Sequence, residues 1–283
     1  MTMPNWRRLL KPFRQSTELT IGAVMFVGLA ALFILGPSLA PYPYARMGVG
    51  PPFSPAFQGA HLLGTDELGR DVLSRVVLGT RYSLLVSFAA ALIATVVGGI
   101  LGMMSGFFRG ALDVLIMRLA DLMLSFPGLL LAIVIVAILG PGITNTAIVI
   151  GAVYVPRVAR IARGAVLAVK ENDYVTAATA LGATPPRLLV RHVLPNILPT
   201  IAVYMSLLLA YGLLFEASLS FLGLGVQPPL PSWGGMLRSA RTFIQIAPGL
   251  SIWPGFAIMY AVLTFFFLAE GLRAVLDPRL RDR

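Results

Sequence analysis

The chain has 283 residues, of which 57% are hydrophobic and 12% charged, with a mean hydropathy of +0.84. A soluble fold carries about 25% charged residues and could not hide this much apolar surface, so part of the solvent is lipid. The net charge of +10 comes from Lys and Arg in short stretches between apolar blocks, which excludes a nucleic-acid binder, and the lack of Cys excludes disulfides, thiolate metal sites and a Cys nucleophile.

In chain order, a basic tail (residues 1–18, with Arg7, Arg8, Lys11 and Arg14) precedes an apolar run from Leu19 to Ala40. That run exceeds the about 7–15 residues of a signal-peptide core, which predicts an uncleaved first transmembrane helix over 19–40. The next segment, 41–83, starts rich in Pro and Gly and then turns amphipathic. Val72, Leu73, Val76 and Val77 share one helical face, with Arg70, Asp71, Ser74 and Arg75 opposite, which predicts a helix lying on the membrane surface.

Five more apolar blocks follow, at Leu84–Phe107, Leu115–Leu139, Ile143–Val155, Thr200–Leu222 and Leu250–Leu272. The fourth span is short but can extend through Pro156 toward Ile161. These form a five-helix core over 84–272, giving an all-α protein of six transmembrane helices, because open strands cannot span lipid. Gly98, Gly99, Gly102 and Gly106 are expected to let helices approach closely. Residues 225–248 carry Pro228, Pro229, Pro231 and Trp233, which predicts a rigid loop with an interfacial aromatic.

The tail before Leu19, residues 107–120, residues 156–198 and the C-terminal end, 273–283, together hold sixteen Lys and Arg. The intervening segments hold six: Arg46, Arg70, Arg75, Arg81, Arg238 and Arg241. The positive-inside rule therefore places both termini in the cytoplasm and 41–83 outside.

The inner segment 157–198 is too long for a plain connector. Asp173 is expected to cap a short helix from Tyr174 to Leu181, and Gly182 to end it in the left-handed conformation. Thr184 then caps a second helix with Pro185 at its first position, running to about Leu194 and stopping before Pro195. Ala177, Ala178, Ala180 and Ala183 leave room for a partner surface near the backbone.

Bond chemistry has no visible home. A phosphate-binding loop needs Gly-Lys before Ser or Thr, and neither Lys11 nor Lys170 has those neighbours. His61 and His192 fall on opposite sides of the membrane and cannot pair on a metal. Ionisable groups within or near the apolar blocks are Arg118, Asp121, Glu216 and Glu270. Three lie near inner ends, where snorkelling or a helix-end hydrogen bond explains them. Glu216 is deeper, and either a structural hydrogen bond or a place on a transport pathway accounts for it.

Several separated motifs carry a family resemblance. Thr176-Ala177-Ala178, three residues, Gly182, and further on Leu194-Pro195 resemble the Glu-Ala-Ala loop of ABC-importer permeases. The run Leu63-Gly64-Thr65-Asp66-Glu67-Leu68-Gly69-Arg70-Asp71-Val72-Leu73-Ser74-Arg75 resembles the signature before the second helix in the dipeptide, oligopeptide and nickel branch. Ser220-Phe221-Leu222-Gly223-Leu224-Gly225-Val226-Gln227-Pro228-Pro229 and Pro231-Ser232-Trp233-Gly234 resemble its outer loop. Gly271-Leu272-Arg273 and Leu276-Asp277-Pro278-Arg279-Leu280-Arg281 resemble its C-terminal end. Four positions depart from the pattern: Thr176 replaces the usual acidic residue, His192 an Ile, and Ala269-Glu270 a Gly-Asp pair.

The resemblance implies a type I ABC importer permease fold in a prokaryotic plasma membrane, as the second, C-type subunit of a permease pair. Tyr174, Thr176, Ala177, Ala178, Gly182, Leu194 and Pro195 would belong to a coupling helix docked on an ATPase subunit. Gly64, Thr65, Asp66, Gly69, Arg70 and Asp71 would form the outer signature. The implied partners are a homologous permease, two ATPase subunits and an extracytoplasmic solute-binding protein. ATP and Mg would be used by the ATPases, with no cofactor on this chain. The alternative class is a self-sufficient secondary transporter or channel, which calls for its own ion-coupling residues or inverted repeats.

Overall fold

The computed structural model describes residues 16–57 and 59–276, so the basic N-terminal tail and the motif from Asp277 to Arg281 lie outside the described residues. Ser16 opens the first helix, its Oγ accepting from Leu19 N at 3.1 Å. That helix, α1, runs Thr17–Leu39 with Pro37 in its last turns. Then comes a loop, followed by α2, Val72–Phe108, a single helix of 37 residues. Residues 72–83 are thus its first turns and not a separate helix on the membrane surface. Asp71 caps it, Oδ2 accepting from Ser74 N at 2.7 Å, and no Pro interrupts the run that follows.

The expected span Leu115–Leu139 is broken. Helix α3, Gly110–Leu124, and α4, Gly128–Leu139, meet at 92°. Pro127 has no N–H to donate and drives the residue before it out of the helical region, which a purely apolar count does not register. Helix α5, Ile143–Lys170, runs through Pro156 well past the expected end at Ile161.

After α5 come the short helices α6, Asp173–Ala180, and α7, Pro185–Leu188, then one π-helical turn, Leu189–Val193. The turn leads directly into α8, Leu194–Phe221. The helix therefore does not stop before Pro195. A proline is tolerated in the first turn of α8, and the wider π turn before it accommodates the change of register. Helix α9, Trp233–Arg241, and α10, Gly249–Leu276, complete the chain.

By length and composition α1, α2, the continuous stretch 185–221 and α10 can each cross a bilayer, and α3 with α4 adds a fifth if the bent pair is one span. Helix α5 falls outside that count because its second half carries Arg157, Arg160, Arg163 and Lys170. It is nonetheless deeply packed, with Val149, Ile150, Ala162 and Val166 fully buried. Its seam with α2 is built on small residues. A Cβ at Gly98 would lie 2.7 Å from Val155 O, and one at Gly106 would lie 2.9 Å from Arg163 O. Gly102 sits closer still to Ala159 O, whereas Gly99 meets only Ile201 at 3.9 Å and is not part of the seam. Such contact supplies the dispersion attraction that holds helices together where lipid offers no hydrophobic drive.

Trp233 is not an interfacial aromatic. It is 1% exposed, wedged with Leu29, Leu213, Ala217 and Phe265, and its Nε1 donates to Val76 O at 3.0 Å. An indole is buried where its N–H finds an acceptor, and the α2 backbone provides one.

Candidate functional site

The hairpin of α6 and α7 projects from one end of the bundle. Asn172, not Asp173, is the residue before α6, and its side chain turns back to donate to Val169 O at 3.0 Å. Asp173 is the first helical residue, where its charge favours the positive end of the helix dipole. At the other end of α6, Gly182 N donates to Thr179 O at 3.0 Å and Ala183 N to Ala178 O at 3.1 Å. With Gly182 at φ +82° this is the Schellman pairing, which needs a residue free of Cβ strain at that position. Thr184 precedes α7 and Pro185 is at its start, but the Thr184 side chain makes no capping bond.

Three apolar side chains root the hairpin: Val175, Leu188 and Val193, each 5% exposed or less. Val193 packs with Val166 of α5 and Ile197 of α8, and Leu194 lies against the same cluster. The ring of Tyr174 sits 6.3 Å from that of His192, so the histidine that departs from the family pattern supports the first turn of α6. Thr176, Ala177, Gly182 and Pro195 are exposed, Ala178 is half-buried, and Leu181 at the tip is 90% exposed. Among the described residues, apart from its chain neighbours, no atom comes within 4 Å of a Cβ built on Gly182. The result is a small-residue surface that no other described residue covers at this turn.

The second assembly, at the opposite end of α2, is buried. Gly64, Thr65, Asp66, Gly69, Arg70 and Asp71 are all buried. Asp66 Oδ1 accepts from Leu68 N and Arg70 N, and Oδ2 accepts from Arg70 Nε at 2.6 Å. Thr65 Oγ1 accepts from Ser54 N at 2.9 Å and donates to Pro51 O. Asp71 Oδ1 pairs with His61 Nδ1 at 2.9 Å while Oδ2 caps α2. The polar residues 70, 71, 74 and 75 therefore face this loop and not water. The amphipathic pattern was real, but its polar side binds the chain's own backbone. The signature thus folds the loop from about 49 to 71 onto the start of α2. Phe53 of that loop packs against Phe243 beside α9, the rings tilted by 55° with centroids 4.9 Å apart.

Glu216 on α8 is fully buried. Its Oε1 accepts from Ser220 Oγ at 2.7 Å, and Ser220 Oγ in turn accepts from Val226 N at 3.1 Å. Nearby, Ser83 Oγ on α2 accepts from Trp233 N at 3.2 Å and Ser232 Oγ before α9 accepts from Gly235 N at 3.1 Å, while Glu216 Oε2 has no hydrogen-bond partner among the described residues. The group thus sits where α2, α8 and α9 converge and ties down the turn after α8.

Charge pairs at the hairpin end gave no sequence signal, because their members are far apart in the chain. Arg163 of α5 donates to Asp113 of α3 through Nε at 2.6 Å and Nη2 at 2.7 Å, and Ser105 of α2 donates to the same carboxylate. Arg160 pairs with Asp121 at 2.6 Å. With Arg118 these residues line an open cleft of about 370 Å³ between α3 and α5. Lys170 donates to Phe107 O at 2.6 Å, closing the end of α2. Glu270 lines a smaller cavity with Tyr204, Thr200 and Arg273.

A family model described as binding-protein-dependent transport system inner membrane component matches residues 98–282. The glutathione transport system permease protein GsiD of Pectobacterium atrosepticum is 40% identical over 283 residues, spanning 98% of this chain and 91% of that protein. The di/tripeptide transport system permease protein DppC of Pseudomonas aeruginosa is 42% identical over 282 residues, spanning 96% of this chain and 93% of that protein. Among solved structures, a chain of the inward-facing MetNI methionine ABC transporter superposes with a TM-score of 0.60 at 18% identity, covering 72% of this chain and 97% of that one.

Proposed function

The chain belongs to the family of binding-protein-dependent transport system inner membrane components, and we propose that it is one permease subunit of an ATP-driven importer for peptides or glutathione-like solutes. The observation that carries the reading beyond the family is the exposed hairpin with Thr176, Ala177, Ala178 and Gly182 at one end of the bundle. A surface of small side chains held rigid by its own caps suits docking on an ATPase subunit. The chain has no Gly-Lys phosphate loop of its own, so ATP and Mg belong to that partner.

In this reading two ATPase subunits close on ATP and carry the hairpins of this chain and a homologous permease with them. The pair then passes between inward- and outward-facing states, and an extracytoplasmic binding protein delivers solute to the side bearing the 41–71 loop. Both termini and the hairpin lie in the cytoplasm, in keeping with the distribution of Lys and Arg. Substrate class rests on the names of the relatives.

The test is uptake of labelled di- and tripeptides and of glutathione into vesicles containing the chain with and without its partners. Uptake that needs ATP and the ATPases is expected, and transport by the chain alone would overturn the reading. For orientation, Cys at Ser239 should react with an impermeant reagent from outside, and Cys at Thr179 only from within.

A further inference from the structure

We propose that the groove between α1 and α2 binds one acyl chain of a phospholipid whose anionic headgroup is held by Arg81. The groove encloses about 380 Å³ and its lining is apolar: Phe26, Ala30 and Phe33 from α1, Leu85 and Phe88 from α2, and Phe265 from α10. Its deep end closes where the rings of Phe26 and Phe265 meet edge to face at 6.5 Å.

The open end is set by a backbone defect. Phe33 O would ordinarily accept from the N–H four residues on, but that residue is Pro37, which has none. Arg81 Nε supplies the missing donor at 2.8 Å, and its guanidinium carbon lies 5.8 Å from the centre of the Phe33 ring. The side chain is exposed and held against Phe33, which lines the groove, so its charge stands beside that end of the groove. The bond to Phe33 uses Nε and leaves both Nη nitrogens for a planar, two-point grip on phosphate.

Length favours a lipid tail over a helix of a partner subunit. From Phe26 to Phe33 the helix rises about 10 Å, which falls within the about 15 Å of hydrocarbon in one leaflet. A membrane-crossing helix would need a seat along both leaflets, about 30 Å. The cation at one mouth and the closed floor near the midplane match a single lipid of the leaflet at the 41–71 end.

The probe is phosphatidylglycerol carrying a mid-chain diazirine, in nanodiscs of phosphatidylcholine, with diazirine phosphatidylcholine as the neutral control. After illumination of the assembled importer, cross-linked residues are mapped by mass spectrometry. The anionic probe should label the groove about fivefold more than the neutral one, the ratio expected for one cation near the membrane surface. Arg81→Gln should abolish that difference. Leu85→Trp, which fills the groove and leaves Arg81 in place, should remove labelling by both probes. Because Arg81 also supports α1, Arg81→Gln is repeated with Pro37→Ala, which restores an N–H to Phe33 O, and headgroup preference should remain absent there. Equal labelling by the two probes in the unaltered protein overturns the proposal. So does a groove that is labelled in the lone chain and protected in the assembled complex, which would show that a partner helix fills it.

Discussion

Arg163 holds Asp113 through two parallel donations, at 2.6 and 2.7 Å, joining helices α5 and α3 across fifty residues of sequence. Arg163 is a third exposed and Asp113 less so. The neighbouring pair, Arg160 and Asp121, is about half exposed on both sides. The two pairs are alike in distance but differ in energetic weight. An exposed pair contributes about 0–1 kcal/mol, whereas a carboxylate left without its fork in a partly buried site costs about 1–3 kcal/mol.

Arg163→Lys keeps the charge and loses the fork. Thermal unfolding of the purified complex should drop by several degrees for Arg163→Lys and stay unchanged for Arg160→Lys. Equal shifts in the two variants would show that the bidentate geometry is not what holds α3.

Gly182→Val should insert and assemble at normal levels yet transport poorly. A Cβ there meets no atom of the described residues within 4 Å beyond its chain neighbours, so its intrachain cost is the strain at φ +82°, about 1–2 kcal/mol. Binding-protein-stimulated ATP hydrolysis should fall with uptake. Normal uptake would exclude a docking role for this turn, and loss of protein from the membrane would assign Gly182 to folding.

Thr176→Glu should be tolerated. Thr176 is exposed on the second turn's outer face, and a carboxylate there adds at most an exposed ion pair of about 0–1 kcal/mol. Co-purification of the ATPases with the variant measures this. Complete loss of association would mean the docking pocket is closed to charge.

Glu216→Gln should leave uptake near normal, because the amide oxygen can still accept from Ser220. Glu216→Ala should destabilise the protein by about 1–3 kcal/mol, since Ser220 and the turn to Val226 lose their anchor. Normal assembly of Glu216→Gln with abolished uptake would instead place the charge on the transport pathway.

The membrane character, the apolar segments and the end of the first hairpin helix at Gly182 were legible in the sequence because each is local. Lipid demands about 20 apolar residues in a row, and a glycine ends a helix within one turn of itself, whereas the expected side-chain caps at Asp173 and Thr184 do not form. Even so, local signals misled where neighbours in space decided. Pro195 reads as a stop, yet a π turn carries the helix through it. Pro127, by contrast, breaks a run whose apolar content reads as one span.

What the sequence by itself determined is the all-helical membrane character, the absence of a phosphate loop and the family. Only the tertiary structure decided where the polar residues of those helices go. Arg70, Asp71, Ser74 and Arg75 fit a wet helix face by pattern, but they are buried against a loop whose carbonyls and carboxylates they satisfy. Trp233 fits a membrane interface by composition, but α2 offers its N–H an acceptor in the core. The physical reason is the same in both cases. A polar group can be buried wherever a partner stands ready, and partners from Asp66 to Arg75, Asp113 to Arg163 or Val76 to Trp233 are brought together by folding rather than by spacing.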